Sequence, residues 1–156
     1  MDKKAFTDKV LESEETLYRI SRSMLRNEQD CEDAVQDSIL MAYSKLSTLK
    51  NEEYFKTWLV RILINKCNQR LKQRKRLLSA EVLPEQTNDT LGSGAEVRMA
   101  IEQLNPKIRV VVVMKYIEGF SVKEIKDVLK IPEGTVKSRL AKGREELKKK
   151  LEINTD

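Results

Sequence analysis

The chain has 156 residues, of which 40% are hydrophobic, 5% aromatic and 35% charged, with a net charge of +5 at pH 7 and a pI of about 9.1. This length allows one medium domain or two small ones. Few aromatic residues together with many Lys, Glu and Leu favour small helical bundles over a β-sandwich.

The residue inventory also argues against catalysis. Histidine is absent, which removes the commonest general base and a frequent metal ligand. No metal-ligand spacing or Gly-rich phosphate loop is present, and the carboxylates of residues 28–37 lack the regular spacing of a calcium loop. We therefore expect no enzyme activity, no cofactor and no bound metal.

The sequence indicates a cytoplasmic protein. Its first residues lack an apolar signal core, and the longest strongly apolar run, Val110–Met114, is too short to span a bilayer. Cys31 and Cys67 form no CxxC pair, so reduced thiols are the simplest interpretation, although the sequence alone leaves a disulfide open.

The first block of the chain, residues 1–76, predicts a helical domain. Residues 3–26 form an amphipathic helix or a helical pair, Asp30 caps a helix through about Leu46, and Asn51 caps one that runs from near Glu52 towards Arg76. The expected core positions have helical spacing and are Phe6, Val10, Leu17, Ile20, Met24, Leu25, Val35, Ile39, Ala42, Leu46, Phe55, Trp58, Leu59, Ile62, Leu63 and Cys67. Trp58 is assigned to the core rather than to stacking on a base.

Charge is unevenly distributed within this block. Acidic residues concentrate in residues 28–37, whereas residues 54–80 contain no Asp or Glu and eight Lys or Arg. Clustered cations of this kind are typical of phosphate binding. For the acidic segment the simpler alternative is a solvated helix face.

Residues 77–95 predict a linker between two domains. They gather Pro84, Gly92 and Gly94 with several Ser, Thr and Asn, and the helical pattern stops there. The second domain is then residues 96–156, with a first helix over residues 95–104.

Asn105 followed by Pro106 predicts the start of a second helix in this domain, over residues 107–118. The β-branched run Val110–Val113 is also compatible with a strand. We favour a helix because the flanking signals agree and no partner strand is apparent.

Residues 121–144 predict a helix-turn-helix. Ser121 and Glu124 have the spacing of a capping box, and Pro132 suits the first turn of the following helix. Gly134 is expected to allow close approach or an unusual backbone angle in the turn. The second helix would bury Val136, Leu140, Leu147 and Leu151, which leaves a basic face of small residues for the DNA major groove.

Three segments in this order resemble a bacterial sigma factor of the extracytoplasmic-function (ECF) group, the smallest type of the sigma-70 family. Residues 30–43 are similar to the family's polymerase-binding segment, residues 55–65 to its promoter-melting segment, and residues 131–140 to its −35-reading helix. The resemblance covers nearly all of residues 3–152. It implies an all-α protein with two small helical domains, sigma region 2 and sigma region 4, joined by a flexible linker.

The resemblance also implies roles for particular residues. The acidic outer edge expected to bind core RNA polymerase comprises Asp30, Glu32, Asp33, Gln36 and Asp37. The cationic track and polar groups expected at the −10 DNA are Lys56, Arg61, Asn65, Lys66, Gln69 and Arg70, and the loop over residues 47–54 lies where the family captures a flipped base. The residues expected at the −35 element are Thr135, Lys137, Ser138, Ala141 and Lys142, with Arg139 and Arg144 on phosphates.

Some positions depart from the family pattern. Lys126 replaces a small residue, usually Ala, that helps the hairpin helices to pack, and Ala141 is small where many members carry a larger side chain. Lys142 and Gly143 stand in place of a common Arg-Ala pair. These changes bear on the −35 preference rather than on the overall role.

The leading hypothesis is a sigma factor that directs core RNA polymerase to promoters and promotes melting, in an envelope or stress response. By family analogy its partners are core RNA polymerase, promoter DNA and a membrane-anchored anti-sigma factor. The alternative is a helix-turn-helix regulator that binds an operator without being a polymerase subunit. That alternative explains residues 121–144 but neither the acidic segment nor the acid-free segment of the first domain.

Overall fold

The computed structural model describes residues 1–77 and 94–154. These residues contain helices and no β-strand, and they form two compact units. The first unit holds α1 (Lys3–Leu25), α2 (Glu28–Ser44) and α3 (Phe55–Leu77), and the second holds α4 (Ala95–Glu102), α5 (Pro106–Val112), α6 (Val122–Leu129) and α7 (Glu133–Asn154). The predicted all-α class is confirmed. Within the predicted linker, residues 78–93 lie outside the described residues.

The first unit is a three-helix bundle in which each helix contributes to one core. α1 is a single helix rather than a pair, and its N-terminus is capped by the Asp2 side chain, which accepts a hydrogen bond from the Ala5 amide. From α2, Cys31, Ala34 and Ala42 are buried. The largest fully buried aliphatic side chains come from α1 and α3 and are Leu17, Ile20, Leu25, Leu59, Val60, Leu63 and Ile64. Each such side chain contributes about 1.5–3 kcal/mol through burial, so these residues hold the bundle together.

The ends of α2 differ from the prediction. Asp30 was expected to cap the helix, but the Oδ1 atom of Asn27 accepts from the Asp30 amide at 3.0 Å and α2 begins at Glu28. The prediction failed because Asn27 lies three residues earlier and has the same capping chemistry. α2 ends at Ser44, and Leu46 lies in the 3₁₀ turn Leu46–Thr48 instead of the helix.

The entry into α3 agrees with the sequence. The Oδ1 atom of Asn51 accepts from the Glu53 amide at 3.0 Å, which caps the 3₁₀ turn Glu52–Tyr54. Phe55 then starts α3 and is buried against Phe6 and Trp58, with ring centroids 5.8 Å away in both cases. Trp58 itself is only half-buried, so it lies at the edge of the core rather than inside it.

The second unit confirms the helical interpretation of residues 110–113. The Asn105 side chain accepts from the Lys107 amide at 3.0 Å, and Pro106 is the first residue of α5. α5 is followed directly by a π-helical turn, Val113–Ile117, in which the Glu118 amide donates to the Val113 carbonyl at 3.0 Å. The sequence did not predict this π-helical turn. Gly119, whose φ is 77°, follows it two residues later.

Two glycines of α7 have different roles from those expected. Gly134 lies in the first turn of the helix with no positive φ, and a Cβ built there meets no atom within 4 Å. Both alternatives predicted for Gly134, close approach and an unusual backbone angle, are therefore wrong. Gly143 provides it instead, because a Cβ there would lie 2.6 Å from Cγ2 of Val112 and 3.1 Å from Cγ2 of Ile108. Glycine at this position lets α7 approach α5 closely.

Candidate nucleic-acid interface

The helix-turn-helix geometry predicted for residues 121–144 is present. The Ser121 hydroxyl accepts from the Glu124 amide at 3.1 Å, and the Glu124 carboxylate accepts from the Ser121 amide at 3.0 Å, which completes the capping box. α6 ends where Lys130 adopts a left-handed backbone with φ of 57°, and its amide donates to the Lys126 carbonyl at 2.9 Å. The chain then turns through Pro132 into α7.

The hairpin helices pack through their apolar faces. Ile125 and Val128 of α6 are buried, as are Val136 and Leu140 of α7. Lys126, which departs from the small residue of the family pattern, is exposed. Its side chain therefore lies on the solvent side of α6 and does not separate the two helices.

The outer face of α7 is basic and made of short or flexible side chains. Lys137, Ser138, Ala141 and Lys142 are all exposed, at a spacing that puts them opposite the buried stripe of the helix. Thr135 is half-buried, and its carbonyl accepts from the Ser138 hydroxyl at 3.1 Å. The expected −35 residues of α7 therefore share one accessible surface, apart from the partial burial of Thr135.

Two arginines flank the buried stripe of α7, one on each side. Arg139 is half-buried, and Arg144 is exposed. The Nη1 atom of Arg144 donates to the hydroxyl of Tyr116 at 2.8 Å. Tyr116 belongs to the π-helical turn and is half exposed, so it orients the Arg144 side chain at the surface. Sequence reasoning missed this pair, because it depends on the unexpected π turn.

The polar face of α3 brings together the expected −10 residues in part. Arg61, Asn65 and Gln69 are exposed and lie four residues apart, so they form one row on the helix. The half-buried indole of Trp58 lies on the same face as Asn65, whereas Lys56, two residues before Trp58, is exposed on another side of the helix. This row joins cationic, amide and aromatic groups on one helix.

Lys66 and Arg70 lie on the side of α3 next to α2, and both are half-buried. Nη1 of Arg70 lies 3.9 Å from Oδ1 of Asp30, and Nη2 lies 3.9 Å from Oδ2 of Asp33. Nη2 of Arg70 also donates to Oδ2 of Asp37 at 3.3 Å. One guanidinium therefore contacts three carboxylates of the acidic edge expected to bind polymerase.

A second arginine, Arg74, reinforces this contact. It forms a short ion pair with Asp30, and its Nη1 donates to the Leu25 carbonyl at the end of α1 at 3.2 Å. Glu32 and Gln36, the other two residues of the predicted edge, are exposed. Sequence reasoning missed Arg74, although the four-residue spacing of Arg70 and Arg74 on one helix and the spacing of Asp30, Asp33 and Asp37 on another are complementary signals.

A groove of about 230 Å³ lies beside the turn Glu52–Tyr54, within the loop expected to capture a base. Residues of α1, of this turn and of the start of α3 line it, namely Lys9, Glu12, Ser13, Glu52, Glu53, Phe55 and Lys56. Three of these are carboxylates, which accept hydrogen bonds from exocyclic amino groups of bases.

The two cysteines lie inside the first unit, away from these surfaces. Both are fully buried and present as free thiols. Burial raises the pKa of Cys31, and burial together with the neighbouring Cys31 raises the pKa of Cys67 to about 12. Protonated buried thiols are poor nucleophiles and poor metal ligands, so their role is packing.

Comparisons with known proteins agree with this geometry. The family model described as Sigma-70 region 2 matches residues 10–77, and the one described as Sigma-70, region 4 matches residues 94–147. The chain is 32% identical to the ECF RNA polymerase sigma factor SigW of Bacillus subtilis, over 96% of this chain and 90% of that protein. It is 30% identical to the ECF RNA polymerase sigma factor SigM of Mycobacterium tuberculosis, over 94% of this chain and 76% of that protein.

Solved structures share the fold. The sigma factor RpoE, crystallised with the anti-sigma factor NepR from Bartonella quintana, matches with a TM-score of 0.80 at 22% identity, over 96% of this chain and 98% of that chain. CnrH, solved in complex with the cytosolic domain of CnrY, matches with a TM-score of 0.71 at 27% identity, over 97% of this chain and 90% of that chain.

The chain belongs to the sigma-70 family of RNA polymerase sigma factors, in its ECF group. It is a promoter-directing sigma factor, and the operator-binding regulator considered as the alternative is not favoured. None of the described helices is both long and apolar enough to cross a membrane.

Proposed function

We propose that this sigma factor divides promoter recognition between its two units, with the outer face of α7 reading the −35 element and the polar face of α3 holding the opened −10 strand. The observation that carries the proposal is the exposed surface formed by Lys137, Ser138, Ala141 and Lys142 on the second helix of a capped helix-turn-helix. A helix in this position enters the major groove, where a Lys discriminates bases through guanine O6 and N7.

The −10 role rests on the row Arg61, Asn65 and Gln69 of α3. A cationic and amide-bearing track suits an unpaired strand, because its phosphates need positive charge and its base edges need hydrogen-bond partners. The groove beside Glu52 and Glu53 suits a flipped base with an exocyclic amino group, and its carboxylates disfavour phosphate there.

We place core RNA polymerase on the acidic edge of α2. Glu32, Asp33 and Asp37 expose carboxylates along one side of the helix and would meet a cationic surface of the polymerase. A subunit of this kind needs no catalytic group of its own, and it acts where the chromosome lies, in the cytoplasm. The proposed domain limits are 1–76 for polymerase and −10 binding and 96–156 for −35 binding, with 77–95 between them.

An anti-sigma factor is a further proposed partner. Support comes from RpoE and CnrH, whose structures were solved with NepR and with the cytosolic domain of CnrY. We propose that the partner of this chain is membrane-anchored and releases it on an envelope or stress signal.

The experiment that tests the proposal is run-off transcription with purified core RNA polymerase on a library of genomic fragments, with and without this protein. Defined transcripts that appear only with the protein are expected, and their start sites map the −35 and −10 sequences. Specific binding of the protein alone to duplex DNA, with no new transcript, would support an operator-binding regulator instead.

A further inference from the structure

The ion pairs between α2 and α3 join two surfaces to which the proposed function gives different partners. Arg70 belongs to the −10 set, and Asp30, Asp33 and Asp37 belong to the polymerase set. The same guanidinium cannot neutralise these carboxylates and also contact a DNA phosphate at full strength. In the free protein the carboxylates of the acidic edge and a DNA phosphate therefore compete for Arg70.

The exposure of the carboxylates shows which part of the network is replaceable. The exposed fraction of the side chain rises from 32% at Asp30 to 43% at Asp33 and 52% at Asp37. Asp30 is also paired with Arg74, which donates a hydrogen bond to the Leu25 carbonyl. The Asp30–Arg74 pair therefore connects α2 and α3 to the end of α1 and braces the bundle. Asp33 and Asp37 are open to solvent and are within reach of cationic groups from a partner.

Arg70 is the more weakly held of the two arginines on the α3 side of the network. Its side chain is 28% exposed, and its contacts to Asp30 and Asp33 are long, at 3.9 Å. Ion pairs of this length at a solvent-exposed edge are weak, so a partner that takes Asp33 and Asp37 can displace them. Arg70 follows Gln69 and lies one turn beyond Lys66, so a released side chain is available to the strand proposed to lie on α3.

We propose that Arg70 links polymerase docking to −10 strand binding. In the free protein the guanidinium is held by Asp33 and Asp37. When cationic groups of the polymerase take these carboxylates, Arg70 is released to a phosphate of the opened strand. The linkage is reciprocal, so strand binding by Arg70 also frees the acidic edge for polymerase. This inference rests on the proposed function of both surfaces.

The first test compares Arg70→Gln with the wild type in two states, the free full-length protein and its complex with core polymerase. The probe is a fluorescent single-stranded oligonucleotide that carries the −10 sequence mapped by run-off transcription. The substitution is expected to leave the affinity of the free protein unchanged within twofold and to weaken that of the complex by at least fivefold. Equal effects in both states would overturn the linkage.

The second test removes the carboxylates instead. The double substitution Asp33→Asn with Asp37→Asn is expected to tighten strand binding by the free protein about threefold. One additional phosphate contact on a single strand should also make the slope of the logarithm of the binding constant against the logarithm of the salt concentration steeper by about 0.7. Adding Arg70→Gln should abolish this gain. Asp30 is left in place so that the Arg74 brace, and with it the fold, is kept.

The matched control is Glu14→Gln with Glu28→Gln, which removes two exposed carboxylates of the same unit that lie outside the Arg70 contacts. An equal gain in this control, or a gain that persists without Arg70, would show a general charge effect and overturn the proposal. Transcription by the wild type is measured in parallel. If no promoter-specific transcripts appear, the proposed function itself is wrong. If transcripts are normal but Arg70→Gln has no selective effect on strand binding, only the linkage is wrong.

Discussion

Arg144 of α7 donates a hydrogen bond to the hydroxyl of Tyr116, 2.8 Å away in the π-helical turn that follows α5. A long cationic side chain loses rotamer freedom when it binds a phosphate, and a partner that holds it beforehand reduces that loss. Tyr116 therefore prepares Arg144 for its proposed phosphate contact, although Tyr116 lies outside the helix-turn-helix.

We expect Tyr116→Phe to weaken binding to a duplex carrying the −35 element by about two- to fivefold, as the loss of one partly exposed hydrogen bond implies. The ring and its packing are retained, so the melting temperature should not change. Fluorescence anisotropy measures the affinity. Tyr54→Phe, at an exposed tyrosine of the other unit, is the control. An unchanged affinity in Tyr116→Phe would mean that the hydrogen bond does not orient Arg144 for DNA.

Gly143→Ala is expected to destabilise the second unit. The new methyl group would lie 2.6 Å from Cγ2 of Val112, and overpacking of this kind costs about 1–3 kcal/mol. Alanine recovers up to about 1 kcal/mol through its higher helix propensity, so the net loss should be about 1 kcal/mol. Urea unfolding of the full chain, followed by circular dichroism, measures it.

Gly134→Ala is the matched comparison, since the same substitution in the same helix meets open space. It should raise stability by up to about 1 kcal/mol. A second check combines Gly143→Ala with Val112→Ala, which makes room for the new methyl group, so the two losses should not add. Purely additive losses would argue against the close approach of α5 and α7.

The buried thiols predict a loss of stability at alkaline pH. The pKa of Cys67 is raised from 9.0 to about 12 in the folded protein, and that of Cys31 is also raised. Well below pH 9 both states keep the thiols protonated, so these groups add no pH dependence there. As the pH rises from 9 towards 12, only the unfolded chain ionises, and the free energy of unfolding should fall.

Two measurements check this expectation. At pH 8 the native protein should react slowly with Ellman's reagent, and both thiols should react at once in 8 M urea. The variant Cys67→Ala should lose part of the alkaline slope seen in urea titrations between pH 9 and 11. Fast labelling of two thiols in the native state would contradict the burial of these side chains.

Much of the fold follows from local signals that the sequence carries. The capping box of Ser121 and Glu124 and the Asn105–Pro106 start depend on residues three or fewer apart, and both were predicted correctly. The boundary of α2 was wrong because Asn27 and Asp30 have similar capping chemistry, and only the geometry of the chain selects between them.

The candidate site was harder to predict where it depends on pairs of helices. Arg70 was assigned to DNA from the acid-free composition of α3, yet its contacts are to Asp37 and two further carboxylates of α2, more than thirty residues earlier in the chain. Such a contact is set by the rotation of α3 against α2. Gly143 and Tyr116 were missed for the same reason, since their partners lie on another element.

The −35 assignment predicts a selective defect for Lys142→Ala. Transcription from promoters with a matched −35 element should fall by about tenfold, within the 1–3 kcal/mol that a good side-chain contact to guanine supplies. Core binding should survive, because Lys142 lies in the second unit and the acidic edge in the first. Lys107→Ala removes an exposed charge from α5 of the same unit and is the control. Loss of core binding in Lys142→Ala would contradict the assignment.

The −10 assignment predicts that Asn65→Ala impairs opening of the promoter more than its initial recognition. Asn65 is exposed in the middle of the row on α3, and loss of its hydrogen bonds to an unstacked base should reduce open complexes by about two- to tenfold. Permanganate footprinting of the −10 thymines measures opening, and binding to a −35 duplex should be unchanged. Asn68→Ala, an exposed asparagine one turn along the same helix, separates a contact at one position from a general effect on the surface. Thymine reactivity that is unchanged in Asn65→Ala would place the −10 strand elsewhere.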